Sequence, residues 1–491
     1  MRDIIFTFFN YFVFFYTSML AIFFVTFAFL SFISLKRRKD YYVESYMRKT
    51  IKESPYTPGI SVIAPAFNEE KTIIDNVNSM LALEYPLFEV VIVNDGSTDS
   101  TLEKMTEYYE LVEVPYAYIE RIKTRPFRRL LKSSNPKYSR LIVVDKENGG
   151  TKADASNAGI NVASYPYFIC TDVDCILEKY ALYRCISPII SSEKQVIAVS
   201  GTMLMANGCV VKDGQIIDVR TPRTPIPLFQ NLEYMRSYLI GKMGWSAING
   251  MPNVSGGFGL FDRSVAIAAG GYDAPSFAED MDLITRMVGY MCDFSRPYKI
   301  IQIPDTCCWT EGPPNLAMLY RQRTRWARGL FQTLNIHRKM IFKKTYKQMG
   351  MLTLPYMFVF EFLAPIIEFV GLIVFIYLAF TGAVNWNTAW MIYLTIYTFC
   401  QFLSIVVITY DYYVGMLYKR GYEYLWIIIA SILEPIFYHP IITFCSLRGY
   451  LSYLTNRDFK WKNMERKGFK QKEESAGNAD TTAMKPEPAT I

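Results

Sequence analysis

The chain alternates between two textures. Residues 4–35 contain no Asp, Glu, Lys or Arg, and about 20 apolar residues suffice to cross the hydrocarbon of a bilayer. The run is longer than a signal-peptide core of about 7–15 residues, and no small-residue cleavage site follows it. It predicts a retained membrane helix. Lys36, Arg37, Arg38 and Lys39 follow it, and only Arg2 precedes it, so the positive-inside rule places the next segment in the cytosol. A second apolar block begins near Leu352. Residues 369–410 are again uncharged, which is room for two spans with an outer turn at 381–388. Lys419 and Arg420 mark the return to the cytosol. The last apolar stretch, 424–447, holds Glu434, Pro435, His439 and Pro440. Its prolines predict a kink. A straight crossing would carry the basic residues from Arg448 to Lys467 outside, against the positive-inside rule; a re-entrant helix would not, and both remain open. From about residue 471 the chain is polar and of low complexity, which predicts a disordered tail.

Between the apolar blocks, short β-branched runs alternate with helical patterns. Strands are predicted at 60–65, 88–94, 141–145 and 167–171, and helices at 71–83, 100–109 and 152–163. Such alternation implies a mostly parallel α/β sheet covered on both faces. Ligands of these sheets sit at the carboxyl ends of strands. Here those ends carry PAFNEE (65–70), NDGSTD (94–99) and TDVD (171–174). Acids at i and i+2 just past a strand lie on one side, and a close acid pair is costly unless a cation or proton is shared. A divalent ion bridging phosphate oxygens resolves that cost, and oxygen ligands suit Mg²⁺ or Mn²⁺. Alone, the Asp-x-Asp pattern is a weak signal.

Composition narrows the class. The chain has 491 residues, 51% hydrophobic and 16% aromatic, with a mean hydropathy of +0.12. This excludes a disordered chain and argues against a purely soluble one. The formal charge of +7 is too diluted to argue for nucleic acid and fits basic collars beside a membrane. Nine cysteines without a CxxC pair read as reduced thiols. With only two histidines, His337 and His439, a His-built metal site or a Ser–His–Asp triad is disfavoured.

A further set of motifs follows in order: Asp95 in VNDGSTD, Lys152 in TKADASNAG, Asp172-Val-Asp174, the SGGFGLF loop at 255–261, Glu279-Asp280, and Gln322-Arg-Thr-Arg325-Trp326. This series resembles the D, DxD, (T)ED, QxxRW pattern of processive family 2 glycosyltransferases, the group of hyaluronan, chitin, cellulose and poly-N-acetylglucosamine synthases. The resemblance covers roughly residues 58–335, and the flanking helices follow the same plan. It implies a GT-A-type nucleotide-sugar-binding domain inserted between transmembrane helices, with interfacial helices. The implied division is an N-terminal membrane helix (1–35), the cytosolic transferase domain (36–335), interfacial and C-terminal membrane helices (336–452), and a basic then disordered tail (453–491).

The resemblance also implies roles. Asp95 contacts the uridine part of a UDP-sugar, and Pro65, Ala66, Asn68 and Glu69 line the same pocket. Lys152 and Asp154 form a second nucleotide contact. Asp172 faces the donor, and Asp174 holds Mg²⁺ or Mn²⁺ on the diphosphate. Asp280 is the general base, with Glu279 the alternative. Gln322, Arg325 and Trp326 sit on an interfacial helix at the mouth of a membrane channel. These residue types suit the chemistry. The leaving phosphate needs neutralising, which a metal on Asp174 and a cation such as Arg325 supply. The acceptor hydroxyl needs a base within reach. Trp326 offers a flat face for a sugar ring.

The implied product is a β-linked polysaccharide, elongated by inversion at the cytosolic face of the plasma (inner) membrane by a multi-pass protein. The implied partners are a UDP-sugar donor, the growing polysaccharide, membrane lipids and an accessory secretion or regulatory subunit. The competing readings are a non-processive transferase acting on a lipid-linked acceptor, and an inactive scaffold or transporter. The complete acidic set argues against the last. Three departures stand out. Ala278 replaces the usual Thr before the acidic pair, Gly257 stands where relatives often carry Ala, and 120–140 looks like an insertion with eight Lys/Arg. That insertion reads as a solvated basic hairpin or as a contact for anionic lipid or a partner protein. No FxVTxK-like gating motif occurs, which argues against cellulose.

Overall fold

The computed structural model describes residues 2–41, 44–173, 175–212 and 214–455. Asp174 and the tail from residue 456 lie outside the described residues. The parallel heart of the sheet is β1 (Ile60–Ala66) and β2 (Phe88–Asp95). Their β-branched side chains pack on both faces, and β2 is buried along its whole length, as a sheet covered on both sides requires. Beyond them come β3 (Leu111–Val114), β4 (Phe127–Ser133), β5 (Leu141–Lys146), β6 (Tyr167–Thr171), β7 (Ile176–Leu177) and β8 (Gln195–Met205). A small hairpin follows, β9 (Val210–Lys212) with β10 (Gln215–Asp218). Then come β11 (Phe258–Asp262) and β12 (Tyr298–Thr310). The main sheet has ten strands in the order β3-β4-β5-β2-β1-β6-β11-β8-β12-β7.

The sheet is less parallel than the sequence predicts. β1, β2, β5 and β6 pair in parallel. However, β4 runs antiparallel to both β3 and β5, and β11 runs antiparallel between β6 and β8. The reason at β4 is local: only a short 3₁₀ turn, Pro136–Tyr138, separates it from β5 and no helix separates it from β3, and a connection without a crossover permits only an antiparallel return. The basic stretch 120–140 keeps all eight of its Lys and Arg exposed, as a solvated basic hairpin would. It supplies a strand of the sheet, with Arg129 paired to Asp145 at 3.1 Å.

Before the sheet stand α1 (Arg2–Tyr41) and α2 (Glu44–Glu53). Its faces are covered by α3 (Ile73–Leu81), α4 (Thr101–Tyr109), α5 (Lys152–Val162) and α6 (Ala181–Ile190). A helical arm follows β10: α7 (Pro225–Arg236), a π-helical turn at Ser237–Lys242, and α8 (Met243–Ala247). α9 (Arg263–Ala268), α10 (Glu279–Asp293) and α11 (Leu316–Ile336) complete the domain. All nine cysteines, each among the described residues, are unpaired.

Four helices among the described residues are long and apolar enough to cross a membrane: Tyr11–Arg37, Met349–Phe380, Trp386–Val414 and Gly421–Leu454. The protein is a membrane protein by these helices. Asn385 caps the third, its side chain accepting from the Thr388 amide at 3.1 Å. Apolar side chains such as Phe369, Leu372 and Phe380 point outward, a surface that suits lipid rather than water. The fourth helix is continuous through Pro435 and Pro440. The first is fastened to the sheet domain by the Phe27 and Trp245 rings, 4.6 Å apart. A Cβ on Gly244 would lie 2.8 Å from Phe27, so only glycine allows this approach. The Tyr410 hydroxyl of the third helix donates to the Ala28 carbonyl at 2.6 Å.

Candidate active site

Two charged clusters form at the carboxyl rim of the sheet, and α5 feeds both from its first turn. The first is built on Lys146, the last residue of β5, which is fully buried. Its ammonium lies 2.6 Å from both Asp95 at the end of β2 and Asp154 of α5. Asp95 Oδ1 also accepts from the Gly149 amide at 3.0 Å, and Asp154 Oδ1 accepts from the Arg125 amide at 3.0 Å. Stretch 120–140 thus forms a wall of this cluster. The loop fits only with glycines. A Cβ on Gly149 would lie 2.1 Å from Asp154 Oδ2, and Gly96, at φ +64°, would press on the Asn148 amide at 2.7 Å.

The second cluster lies across α5. Thr151 caps the helix, and Lys152 turns its ammonium to Asp172 Oδ1 at 2.7 Å and to the Gly256 carbonyl at 2.7 Å. Glu279 Oε1 stands 3.9 Å from the same nitrogen. Burial opposes the charge on Lys152, but Asp172 and Glu279 overcome it and hold the amine protonated well above its ordinary range. Burial pushes the Glu279 carboxyl up, with Lys152 and Arg325 opposing. Asp280 is half-buried. Its Oδ1 accepts from the Met281 amide at 2.9 Å, and Asn253 Nδ2 donates to Oδ2 at 3.4 Å.

The loop after β1 has a different task. Asn68 takes a left-handed backbone, φ 57°, and its Oδ1 accepts from the Thr98 amide at 2.8 Å. The Glu69 amide donates to Thr101 Oγ1 at 2.8 Å, and the Glu70 amide to Asp99 Oδ2 at 3.2 Å. These bonds staple the PAFNEE loop to the NDGSTD loop. Pro65 and Ala66 finish β1 beneath them. Asn68 and Glu69 therefore shape the rim through one another's loops, and Asp99 belongs to that staple.

α10 begins at Glu279 without a side-chain cap, because Ala278 has no hydroxyl. α11 crosses it closely: a Cβ on Gly329 would lie 2.6 Å from that of Ala278. This contact brings Arg325 of α11 within electrostatic reach of Glu279, while Gln322 bonds Gln230 of α7 and Trp326 lies under Arg323. Farther along, His337 Nε2 and Asp282 Oδ1, 2.8 Å apart, join the end of α11 to α10. Burial alone would raise the Asp282 carboxyl, but the His337 hydrogen bond and the Arg286 charge hold it below its ordinary range.

Three participants escape a reading of the sequence. Lys146 follows Asp145 where the strand pattern ends at an acid, and only the pairing of Asp95 with Lys146 across β2 and β5 shows that it points to the rim. Asn253 lies outside any motif. Lys242 is buried in the π-helical turn, 4.6 Å from the Tyr238 ring centroid. Burial pushes its amine down to about 8, with the Asp280 charge opposing.

Two family models match the chain. Residues 61–208 match glycosyl transferase family 2, and residues 223–444 match glycosyl transferase family group 2. The chain belongs to glycosyltransferase family 2. It is an enzyme of that family, and the family implies a nucleotide-sugar donor. Among its relatives, poly-beta-1,6-N-acetyl-D-glucosamine synthase of Staphylococcus epidermidis is 28% identical over 282 residues, 57% of each chain. The enzyme of the same name from Staphylococcus aureus (strain COL) is 29% identical over 278 residues, 56% of this chain and 55% of its own. The chain thus matches a little over half the length of these curated relatives. The GT-A-like fold is shared with a mannosyltransferase from Pyrobaculum calidifontis, solved in complex with GDP-Man and Mn²⁺. The TM-score is 0.52 at 16% identity, covering 89% of this chain and 100% of that one.

Proposed function

We propose that this glycosyltransferase elongates a β-linked polysaccharide from a UDP-sugar, by inversion and processively, and passes the product along its own membrane helices. The observation that carries the reading is the position of α11. Its Arg325 favours the ionised form of Glu279 against the effect of burial, while its Arg323 bonds Tyr438 of the fourth apolar helix at 2.9 Å. A helix that touches both suits an enzyme whose product leaves through the membrane. The relatives favour N-acetylglucosamine as the sugar, with glucose as the other candidate.

In this reading the first cluster binds the nucleotide. Lys146 holds Asp95 in place for the uridine contact, and the stapled loops wall the pocket. Lys152 and Arg325 supply fixed positive charge around the diphosphate, where charge develops as UDP leaves. The acceptor hydroxyl attacks the anomeric carbon, the bond from that carbon to the phosphate oxygen breaks with inversion, and Asp280 takes the hydroxyl proton. Asp280 is preferred over Glu279 because Lys152 already engages Glu279.

The residues also fit a divalent cation. Among the described residues no group of three or more His, Cys, Asp or Glu is arranged to enclose a metal. Mg²⁺ commonly takes only one or two carboxylates and completes its shell with substrate phosphates and water. The side chain of Asp172 is one-third exposed even with Lys152 on its Oδ1, and Asp174 would be the principal ligand. When bound, the ion would neutralise the diphosphate as a Lewis acid.

The deciding assay measures UDP release from membranes given UDP-GlcNAc or UDP-glucose, with product length read on a gel. A ladder of long products supports the reading. A single-sugar addition to extractable lipid would support the non-processive alternative instead.

A further inference from the structure

Arg323, between Gln322 and Arg325, enters the reading above only as a link to the fourth apolar helix, yet its side chain meets three elements at once. Its side chain is 6% exposed. Nη1 donates to Glu233 Oε1 at 2.6 Å and Nη2 to Glu233 Oε2 at 2.5 Å, a bidentate fork that fixes the guanidinium plane. Nη2 also donates to the Tyr438 hydroxyl at 2.9 Å, and that hydroxyl donates to Glu233 Oε2 at 3.1 Å. The plane so fixed stacks on Trp326, with 4.5 Å from the guanidinium carbon to the ring centroid.

α7 completes the arrangement from one face. Gln230 and Glu233 are three residues apart and therefore neighbours on that helix. Glu233 holds Arg323, while Gln230 Nε2 donates to Gln322 Oε1 at 3.1 Å. Tyr438 lies between Pro435 and Pro440 of the fourth apolar helix. One compact bracket thus joins the arm, the motif helix and a membrane helix, and one ring face of Trp326 is its floor.

We propose that Arg323 is a positioning residue. It sets the plane of Trp326 and, through Glu233 and Tyr438, sets that plane relative to the fourth apolar helix. A sugar on the open side of Trp326 is then aligned with Asp280 and with the path along the membrane helices. This inference rests on the reading that Trp326 holds the acceptor. Lysine keeps the charge but lacks the planar fork and the stacking face, so charge alone cannot replace Arg323.

The test uses the full chain in membranes with UDP-GlcNAc and reads two products: sugar–sugar bonds, and free sugar from transfer to water. Small misplacements of reacting groups can cost on the order of 100-fold. Arg323→Lys is expected to lower sugar–sugar bond formation about 10- to 100-fold while transfer to water stays within about threefold. Tyr438→Phe, which keeps the ion pair and loses one hydroxyl, is expected to shorten the product with the donor KM unchanged. A merely structural role would lower both products together in both variants, and that result overturns the inference. So does full polymerisation by Arg323→Lys together with unchanged product length in Tyr438→Phe. A wild type that releases UDP but joins no sugars overturns the acceptor reading and this inference with it. A polymerising wild type beside unaffected variants overturns the inference alone.

Discussion

At the rim of the sheet, single buried lysines decide how much charge the site can hold. Lys146 sits between Asp95 and Asp154 with no exposed surface. Removing one partner of a buried ion pair leaves an uncompensated charge and typically costs about 3–5 kcal/mol. Lys146→Met leaves two such carboxylates. It is expected to lower the thermal midpoint in detergent and to weaken UDP binding by calorimetric titration. Unchanged stability would mean that water reaches the cluster and that Lys146 is not its keystone. Asp280→Asn asks a different question. Asparagine keeps the shape but cannot take the acceptor proton, and general-base catalysis typically contributes about 10²–10⁴-fold. The loss is expected in kcat, with UDP affinity within a few-fold of wild type. If Glu279→Gln shows that signature and Asp280→Asn does not, the base is Glu279.

Lys242 gives a pH signature of its own. Its amine titrates near 8 in the folded protein against an ordinary 10.5. Between these values the unfolded chain binds more protons than the folded one, so stability rises with pH there. Below pH 8 the buried charge costs about 3 kcal/mol. Lys242→Met is therefore expected to melt higher than wild type at pH 7, with the difference closing as pH approaches 10.5. A difference that stays constant across that range would contradict this account.

At the scale of elements, the match between sequence and structure follows burial. β2 is buried end to end and reads at once as a strand, because a two-sided core selects a run of β-branched residues. β4 does not read so, because its Arg128, Arg129 and Lys132 belong to an edge region where the strand is half solvated. The Asp and Lys motifs were legible because short spacings bring them to one rim. The links among them were not, since Lys146, Asn253 and Glu233 act across long sequence separations. The crossing of α10 and α11 is such a link. Gly329 is glycine because a side chain there would meet Ala278. Gly329→Val is expected to cost about 1–3 kcal/mol by overpacking. It is also expected to move the acidic pair away from Arg325, lowering kcat more than donor KM. A variant with a lower melting point but wild-type kcat would show that the helices part without disturbing the site.

For the molecule as a whole, the fourth apolar helix decides the topology. It has 34 residues, about 51 Å at 1.5 Å per residue, against a hydrocarbon thickness of about 30 Å. Yet both of its ends are fastened to the catalytic domain. Near its start, Glu423 accepts from the Thr221 amide at 3.0 Å, from the Thr221 hydroxyl, and from Arg223 Nη2 at 2.9 Å. Near its end, the Tyr453 hydroxyl accepts from Asn335 Nδ2 at 3.0 Å, and Arg328 Nη1 reaches Ser452 Oγ at 3.5 Å. A helix held at both ends by one domain is expected to keep the basic tail on that domain's side, which for a cytosolic domain satisfies the positive-inside rule. The test replaces the two half-buried thiols, Cys209 and Cys400, by Ser and introduces one cysteine at a time. Asn385→Cys, in the turn between the second and third apolar helices, is expected to react with an impermeant maleimide on intact cells. Asn478→Cys, in the tail, is expected to react only after the cells are opened. Labelling of position 478 from outside would make the fourth helix a full crossing, and protection of position 385 would reverse the orientation of the protein.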